Sequence, residues 1–450
     1  MNNLPEEIIC YILSFFEDTV DVINFAVTNK SNNKIVNVNR KSFNCITNFN
    51  NTYIEKLDEL DIIGKLKVNI QRSPVKDLNI FNDKVEELNL ANCSKITDVS
   101  MLGKIKKLNL SGCVNITDVT MLGNCEYLNL SHCDRITDVS SLGKVKYLIL
   151  SHCLNITDVS GLTDVKYLNL CRCENLEDVS MLGNCEELDL SDCDRITDVS
   201  SLGKVKKLNL SGCYKIRNVS MLGKCEELDL TDCCEITDIS GLGNVGILNL
   251  SFCNGFIDVS MLGNVKILKL IGCHQLRNVD ALGKCEELYL SRCYNIKNVD
   301  ALGNVNILDL SYCNIVNVSA LGKVKKLNLS NCSKIKDFSA LGNCEELDLS
   351  HCKISDVSAL GKVKKLYLCN CSKIKDFSAL GNCEELDLSH CKISDVSALG
   401  KVKKINLSNC YKITDVSALG NCEELDLSHC INISDFTALS KVKKIINLHK

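Results

Sequence analysis

CEELDLSHCKISDVSALG, residues Cys344–Gly361, is the stretch on which the fold turns, because near-copies of it run from about Val85 to Ser440. Each copy carries an L-x-L pair and, three residues past its second leucine, a cysteine. That cysteine recurs every 20 residues from Cys93 to Cys313, then at alternating spacings of 19 and 20 as far as Cys430. Self-similarity at so short a period marks a one-dimensional stack of units, none of which can bury its apolar face alone.

Within the unit, Leu347 and Leu349 are two apart and point to one side of a short strand, with Glu346, Asp348 and Ser350 on the other. Stacked in parallel, such strands give a buried wall of leucines and a polar outer face. Cys352 turns the chain at the strand's end, and its small side chain fills the corner. Ile354, Val357 and Leu360 return as a second apolar wall. Asp356 is placed to accept backbone N–H groups at the start of a turn or one 3₁₀ unit, and Gly361 is expected to end it with a positive φ. Nineteen or 20 residues leave no room for an α-helix, so extended and 3₁₀ segments are expected on the convex side.

This pattern resembles leucine-rich repeats over about 18 units, residues 85–440. The cysteine followed by Ile-Thr-Asp, as in Cys133-Asp134-Arg135-Ile136-Thr137-Asp138, is similar to the cysteine-containing subclass. The resemblance implies a leucine-rich-repeat solenoid of short right-handed coils, with a parallel β-strand ladder on the concave face. Residues 46–84 read as linker and N-terminal cap, with irregular first strands near Leu66–Ile70 and Leu78–Ile80. Residues 441–450 begin an incomplete terminal repeat.

At the other end, residues 4–16 read LPEEIICYILSFF. Pro5 suits a first helical turn, Glu6 and Glu7 suit the positive end of its dipole, and Ile8, Ile12 and Phe16, with Ile9 and Leu13 beside them, form an apolar stripe at helical spacing. Leu4-Pro5-x-Glu7-Ile8, Ile12-Leu13, Phe16, Asp21-Val22 and Phe25-Ala26 together resemble an F-box over residues 2–43. That resemblance implies a small all-helical module, residues 1–45, docking through Leu4, Pro5, Ile8, Ile9, Ile12, Leu13 and Phe16 on a Skp1-like adaptor of a cullin-type ubiquitin ligase, while the repeats choose a protein substrate. The plainer alternative is that these helices only cap the first repeat. The Asn-, Ile- and Lys-rich makeup with near-duplicate units is similar to F-box/leucine-rich-repeat proteins of giant DNA viruses of amoebae, which implies action in a host cell.

Bulk properties narrow the partners. With 52 basic and 56 acidic residues the formal net charge is −4, so no global field recruits nucleic acid or an acidic membrane. No run of 18 apolar residues suggests a membrane span. Of the 30 cysteines, the repeat markers stack on their equivalents at roughly 5 Å with no unique pairing. They read as buried free thiols of a reduced, intracellular and cytoplasmic protein.

Two unit types interleave, V-K-K-L-N-L and C-E-E-L-D-L, and alternate strictly from Val324. Lys326 should then neighbour Glu346, and Glu346 Lys365, an arrangement that opposes slippage of near-identical units. The variable positions carry more information. Phe252, Lys269, Tyr289, Arg292 and Tyr312 have the composition of a protein interface, and they are the candidate target-binding residues of the concave face. Five histidines, among them His351 and His390, share one repeat position. Of these, His351, His390 and His429 are two repeats apart and so about 10 Å from one another, too far to share a metal ion. The periodic Asp and Ser form no catalytic constellation, and no cofactor is implied.

Overall fold

In the unit quoted above, Glu346–Asp348 forms a three-residue strand, with Leu347 at its centre and Leu349 just past its end, both completely buried. It pairs in parallel with Lys326–Asn328 on one side and Lys365–Tyr367 on the other, leucine aligned on leucine. The structure of this protein is a computed structural model that describes residues 66–69, 71–72, 78 and 85–446. The helices expected over 1–45, with Leu4, Pro5, Ile8, Ile9, Ile12, Leu13 and Phe16, lie outside the described residues.

The chain divides into two compact units, residues 1–215 and 216–450. In the first, the described strands run from Leu66–Asn69 and Val85–Asn89 to Lys207–Asn209; in the second, from Glu227–Asp229 to Lys444–Ile446. Within each, consecutive strands pair in parallel and in register. Only the first pair is irregular, between Leu66 and Lys67. Leu78 is buried, while Asn79 and Ile80 lie outside the described residues.

Past the strand the chain turns tightly. The Cys352 N–H donates to the Leu349 carbonyl at 3.0 Å, and the His351 N–H reaches the Cys369 carbonyl of the next unit at 2.8 Å. His351 takes φ +62°, the left-handed conformation that a turn of this kind imposes on its third residue. The same residue is left-handed in every repeat, from Asn92 to His429. Glycine, asparagine, aspartate and histidine, the types that tolerate this region, fill most of these corners. The recurrent histidines are therefore explained by backbone geometry.

Further on, the Ser358 N–H donates to Asp356 Oδ1 at 2.9 Å, and the 3₁₀ turn Ser358–Leu360 follows. That N–H, then the Ser358 hydroxyl, hold the Asp356 carboxyl below the usual aspartate range. Gly361 corrects one expectation. Its φ is −63° and its ψ −7°, ordinary right-handed backbone. Glycine is needed there for close approach, because a Cβ would lie 2.6 Å from the Ala379 carbonyl oxygen of the next turn. Among the described residues the repeats carry 3₁₀ turns and no α-helix, as so short a unit requires, and no helix is long and apolar enough to cross a membrane.

The change of period is absorbed beyond the marker cysteine. Longer units such as Cys332-Ser333-Lys334-Ile335 make an extra turn, Ile335 N–H to Cys332 carbonyl; shorter ones such as Cys352-Lys353-Ile354 pass directly to the isoleucine. The strand register is therefore unbroken across units of both lengths.

A candidate binding face between Ile247 and Tyr312

Three columns of side chains emerge on the outer side of the strand ladder, and each has a structural occupant in most repeats. The last strand position is usually Asn or Asp, whose Oδ1 accepts the N–H two residues on: Ser330 to Asn328 at 2.9 Å, Ser350 to Asp348 at 2.8 Å. Such a side chain is committed to its own turn. The first strand position carries the alternating charges. Lys326 bridges Glu346 at 3.5 Å, Lys365 bridges Glu385 at 3.7 Å and Lys404 bridges Glu424 at 3.7 Å. The left-handed corner is the third column.

All three patterns fail together between residues 247 and 312. In the first column Ile247, Ile267, Glu287 and Ile307 are register neighbours, so apolar side chains replace lysines. In the second, Lys269 and Tyr289 stand side by side where Asn or Asp would cap the turn. In the third, Phe252, Arg292 and Tyr312 hold φ of +63°, +64° and +59°, a region that costs a side chain of this kind about 1–2 kcal/mol. Arg72 and Arg172, at φ +61° and +58°, are the other corners of that sort among the described residues. Strained bulky residues that share a short stretch with an interrupted structural pattern point to function.

The five residues singled out in sequence thus fall into two places. Lys269 and Tyr289 are strand residues; Phe252, Arg292 and Tyr312 occupy the corners just past the strands. Lys269 Nζ lies 5.9 Å from the Tyr289 ring centre, and Arg292 Cζ lies 5.4 Å from that of Tyr312. Tyr289 donates its hydroxyl proton to Glu287 Oε2 at 2.8 Å; burial, then that carboxylate, push its phenol up to about 12. The Phe252 ring covers Gly272, where a Cβ would come within 2.6 Å of it. Phe252 remains 39% and Tyr312 45% exposed. Beside them His274 stacks on Tyr294 with ring centres 5.1 Å apart.

Sequence reasoning missed a second interruption, in the first unit. Tyr127, Tyr147 and Tyr167 are register neighbours in the column that holds Lys or Glu in most other repeats. Tyr147 and Tyr167 stack at 4.2 Å and 8°, Ile149 replaces the capping Asn, and His132 stacks on His152 at 4.3 Å. The signal was present as three tyrosines spaced by 20, replacing Lys107 and Glu187 equivalents.

The marker cysteines do more than fill the corner. Cys352 Sγ donates to the Leu329 carbonyl of the preceding unit at 3.1 Å, and Cys113, Cys253 and Cys391 repeat the contact. Burial pushes the Cys352 thiol up to about 12. None of the described cysteines is in a disulfide. Among the described residues no three His, Cys, Asp or Glu side chains group as metal ligands.

Residues 345–360 and 384–399 match the Leucine Rich repeat family, and the fold is a leucine-rich-repeat solenoid. The chain is similar to a leucine-rich-repeat protein of Leptospira interrogans, 18% identical over 76% of this chain and 96% of that one, with a TM-score of 0.52. It is also similar to TLR13 in a complex with ssRNA13, 19% identical over 89% and 67% of the two chains, TM-score 0.54. The functional domain of InlJ from Listeria monocytogenes, described as including a cysteine ladder, is 20% identical over 80% and 70%, TM-score 0.39. At these identities the likeness speaks for the fold alone. Among curated proteins, no sequence matches.

Proposed function

We propose that the protein is a non-catalytic substrate-recognition adaptor of a cullin-type ubiquitin ligase. Residues 2–43 would dock on a Skp1-like adaptor, and the strand face between Ile247 and Tyr312 would hold the target. Stacked-repeat proteins generally bind protein partners on the extended surface that their stacking creates. What carries the target-binding half is the joint failure of the charge, capping and corner patterns at Ile267, Lys269 and Arg292. The ligase half rests on the F-box resemblance of Leu4-Pro5-x-Glu7-Ile8 and Ile12-Leu13. Buried marker thiols support a reducing, cytoplasmic setting.

The test is capture of purified Skp1 by the full chain, with Ile8→Asp plus Leu13→Asp as one variant and Ile267→Ser as another. Loss of capture in the first and retention in the second is expected. Wild-type protein that captures no Skp1 while remaining folded overturns the ligase assignment and leaves a binding scaffold whose N-terminal segment is a cap.

A further inference from the structure

Cations on the strand face follow a rule. Lys107, Lys207, Lys326, Lys365, Lys404 and Lys444 each lie within 3.8 Å of a glutamate on a neighbouring strand, and Arg172 at its corner bridges Asp192 at 3.0 Å. Lys269 and Arg292 depart from it. Among the described residues they face the rings of Tyr289 and Tyr312 and no carboxylate within ion-pair reach. The carboxylates nearby are engaged otherwise: Glu287 accepts the Tyr289 hydroxyl, and Asp309 accepts the Ser311 N–H. An aromatic face holds a cation in place and removes part of its water without neutralising it. Beside the two cations, Ile247 and Ile267 are register neighbours, and Ile307 follows beyond Glu287, whose carboxylate holds the Tyr289 hydroxyl.

We infer that this face takes an acidic linear segment of a partner protein, one or two carboxylates for Lys269 and Arg292 set among aliphatic or aromatic side chains for the isoleucines. The inference rests on the reading of this face as the target site and adds the chemistry of what fills it. Four strands at about 4.8 Å span roughly 14 Å, the length of about four or five residues of extended chain, so a short linear segment suffices. Carboxylate pairing with a guanidinium or ammonium already shed of some water supplies the charge-assisted contacts, and the isoleucines supply apolar burial. Net charge is −4, so recognition depends on these two local cations and not on a general basic field.

The experiment is selection of short linear peptides, about a dozen residues long, from a random displayed library by the intact full-length chain. The selected peptides are then titrated against Lys269→Glu, Arg292→Glu, the double variant and Ile267→Ser. Peptides with Asp or Glu between apolar residues are expected, weakened by roughly tenfold or more in each charge reversal and by added salt. Their Lys-for-acid counterparts should bind the double variant in preference to the wild type. Peptides that Ile267→Ser weakens, but that show no acidic preference and bind both charge reversals normally, overturn the inference and leave the face as the target site. Failure to obtain any peptide that Ile267→Ser weakens, with circular dichroism unchanged, removes the face itself.

Discussion

Replacing Arg292 by asparagine separates the strain at a left-handed corner from the contacts its side chain makes. Arg292 has φ +64°; asparagine occupies the same corner at Asn92, Asn331, Asn370 and Asn409 with φ between 57° and 61°. Left-handed backbone costs an ordinary L-residue about 1–2 kcal/mol, and Asn, which visits this region readily, recovers roughly 1 kcal/mol of it. Against this stands the loss of the guanidinium from the Tyr312 ring, 5.4 Å away, worth about 0.5–1 kcal/mol at an exposed site. Arg292→Asn should therefore be as stable as the wild type or more stable by up to about 0.5 kcal/mol. Arg292→Val loses the same ring contact, keeps the left-handed requirement and adds a branch at Cβ, so it should fall about 2 kcal/mol below the asparagine variant. Urea unfolding followed by circular dichroism measures the difference. Because a repeat stack need not unfold in one step, amide exchange at Arg292, whose N–H donates to the Ser311 carbonyl at 2.9 Å, reads the corner locally. Equal stability of the Asn and Val variants would refute the claim that the corner is strained.

Other expectations follow from the same geometry. Gly361→Ala should cost about 1–3 kcal/mol in thermal unfolding, because the new Cβ meets the Ala379 carbonyl and not because of φ; a neutral result removes the close-approach argument. Changing Glu345 and Glu346 together to lysine should lower the urea midpoint by the equivalent of about 0.5–2 kcal/mol, an effect that added salt relieves; the charge ladder is decorative if the midpoint does not move. Iodoacetamide at pH 8 should label exposed Cys234 first among the described cysteines, then half-exposed Cys171 and Cys369; site-resolved mass spectrometry that finds Cys352 or Cys113 labelled equally fast contradicts their burial. Asp356 and its equivalents, such as Asp376 and Asp415, are held below the usual aspartate range by the N–H two residues on, then by the hydroxyl there. Their contribution is thus complete above the unfolded aspartate value near pH 4 and is lost as pH falls through the lowered folded value. Acid titration of the unfolding midpoint should show the fall, and Asp356→Asn, which keeps an acceptor, should lessen it.

Most of the fold could be read from the Cys344–Gly361 unit, since a period of two across Leu347-x-Leu349 and a repeat of 20 leave few ways to bury the leucines. The charge register was legible for the same reason: stacking in sequence order forces Lys326 beside Glu346. The candidate face was legible only in part. Phe252, Lys269, Tyr289, Arg292 and Tyr312 stood out as departures from the repeat, but the tyrosine column at Tyr127, Tyr147 and Tyr167 repeats with the same period and looked like part of the background. Gly361 was misread because glycine answers to two constraints, positive φ and close approach, and one sequence does not tell them apart.

The sequence alone determined the stacking direction, the buried walls and the parallel ladder, because these depend on periodicity and on the need of each unit for a neighbour. Tertiary structure decided what each polar position does. It placed the positive φ at the corner of His351 instead of at Gly361, committed Asp348 and its equivalents to their own turns, and turned the marker thiols onto the carbonyls of the unit before. It also showed that Lys269 and Arg292 lean on aromatic rings while the lysines of the charge ladder meet glutamates. Those outcomes depend on distances of a few ångströms between units 20 residues apart, and spacing along the chain does not specify them.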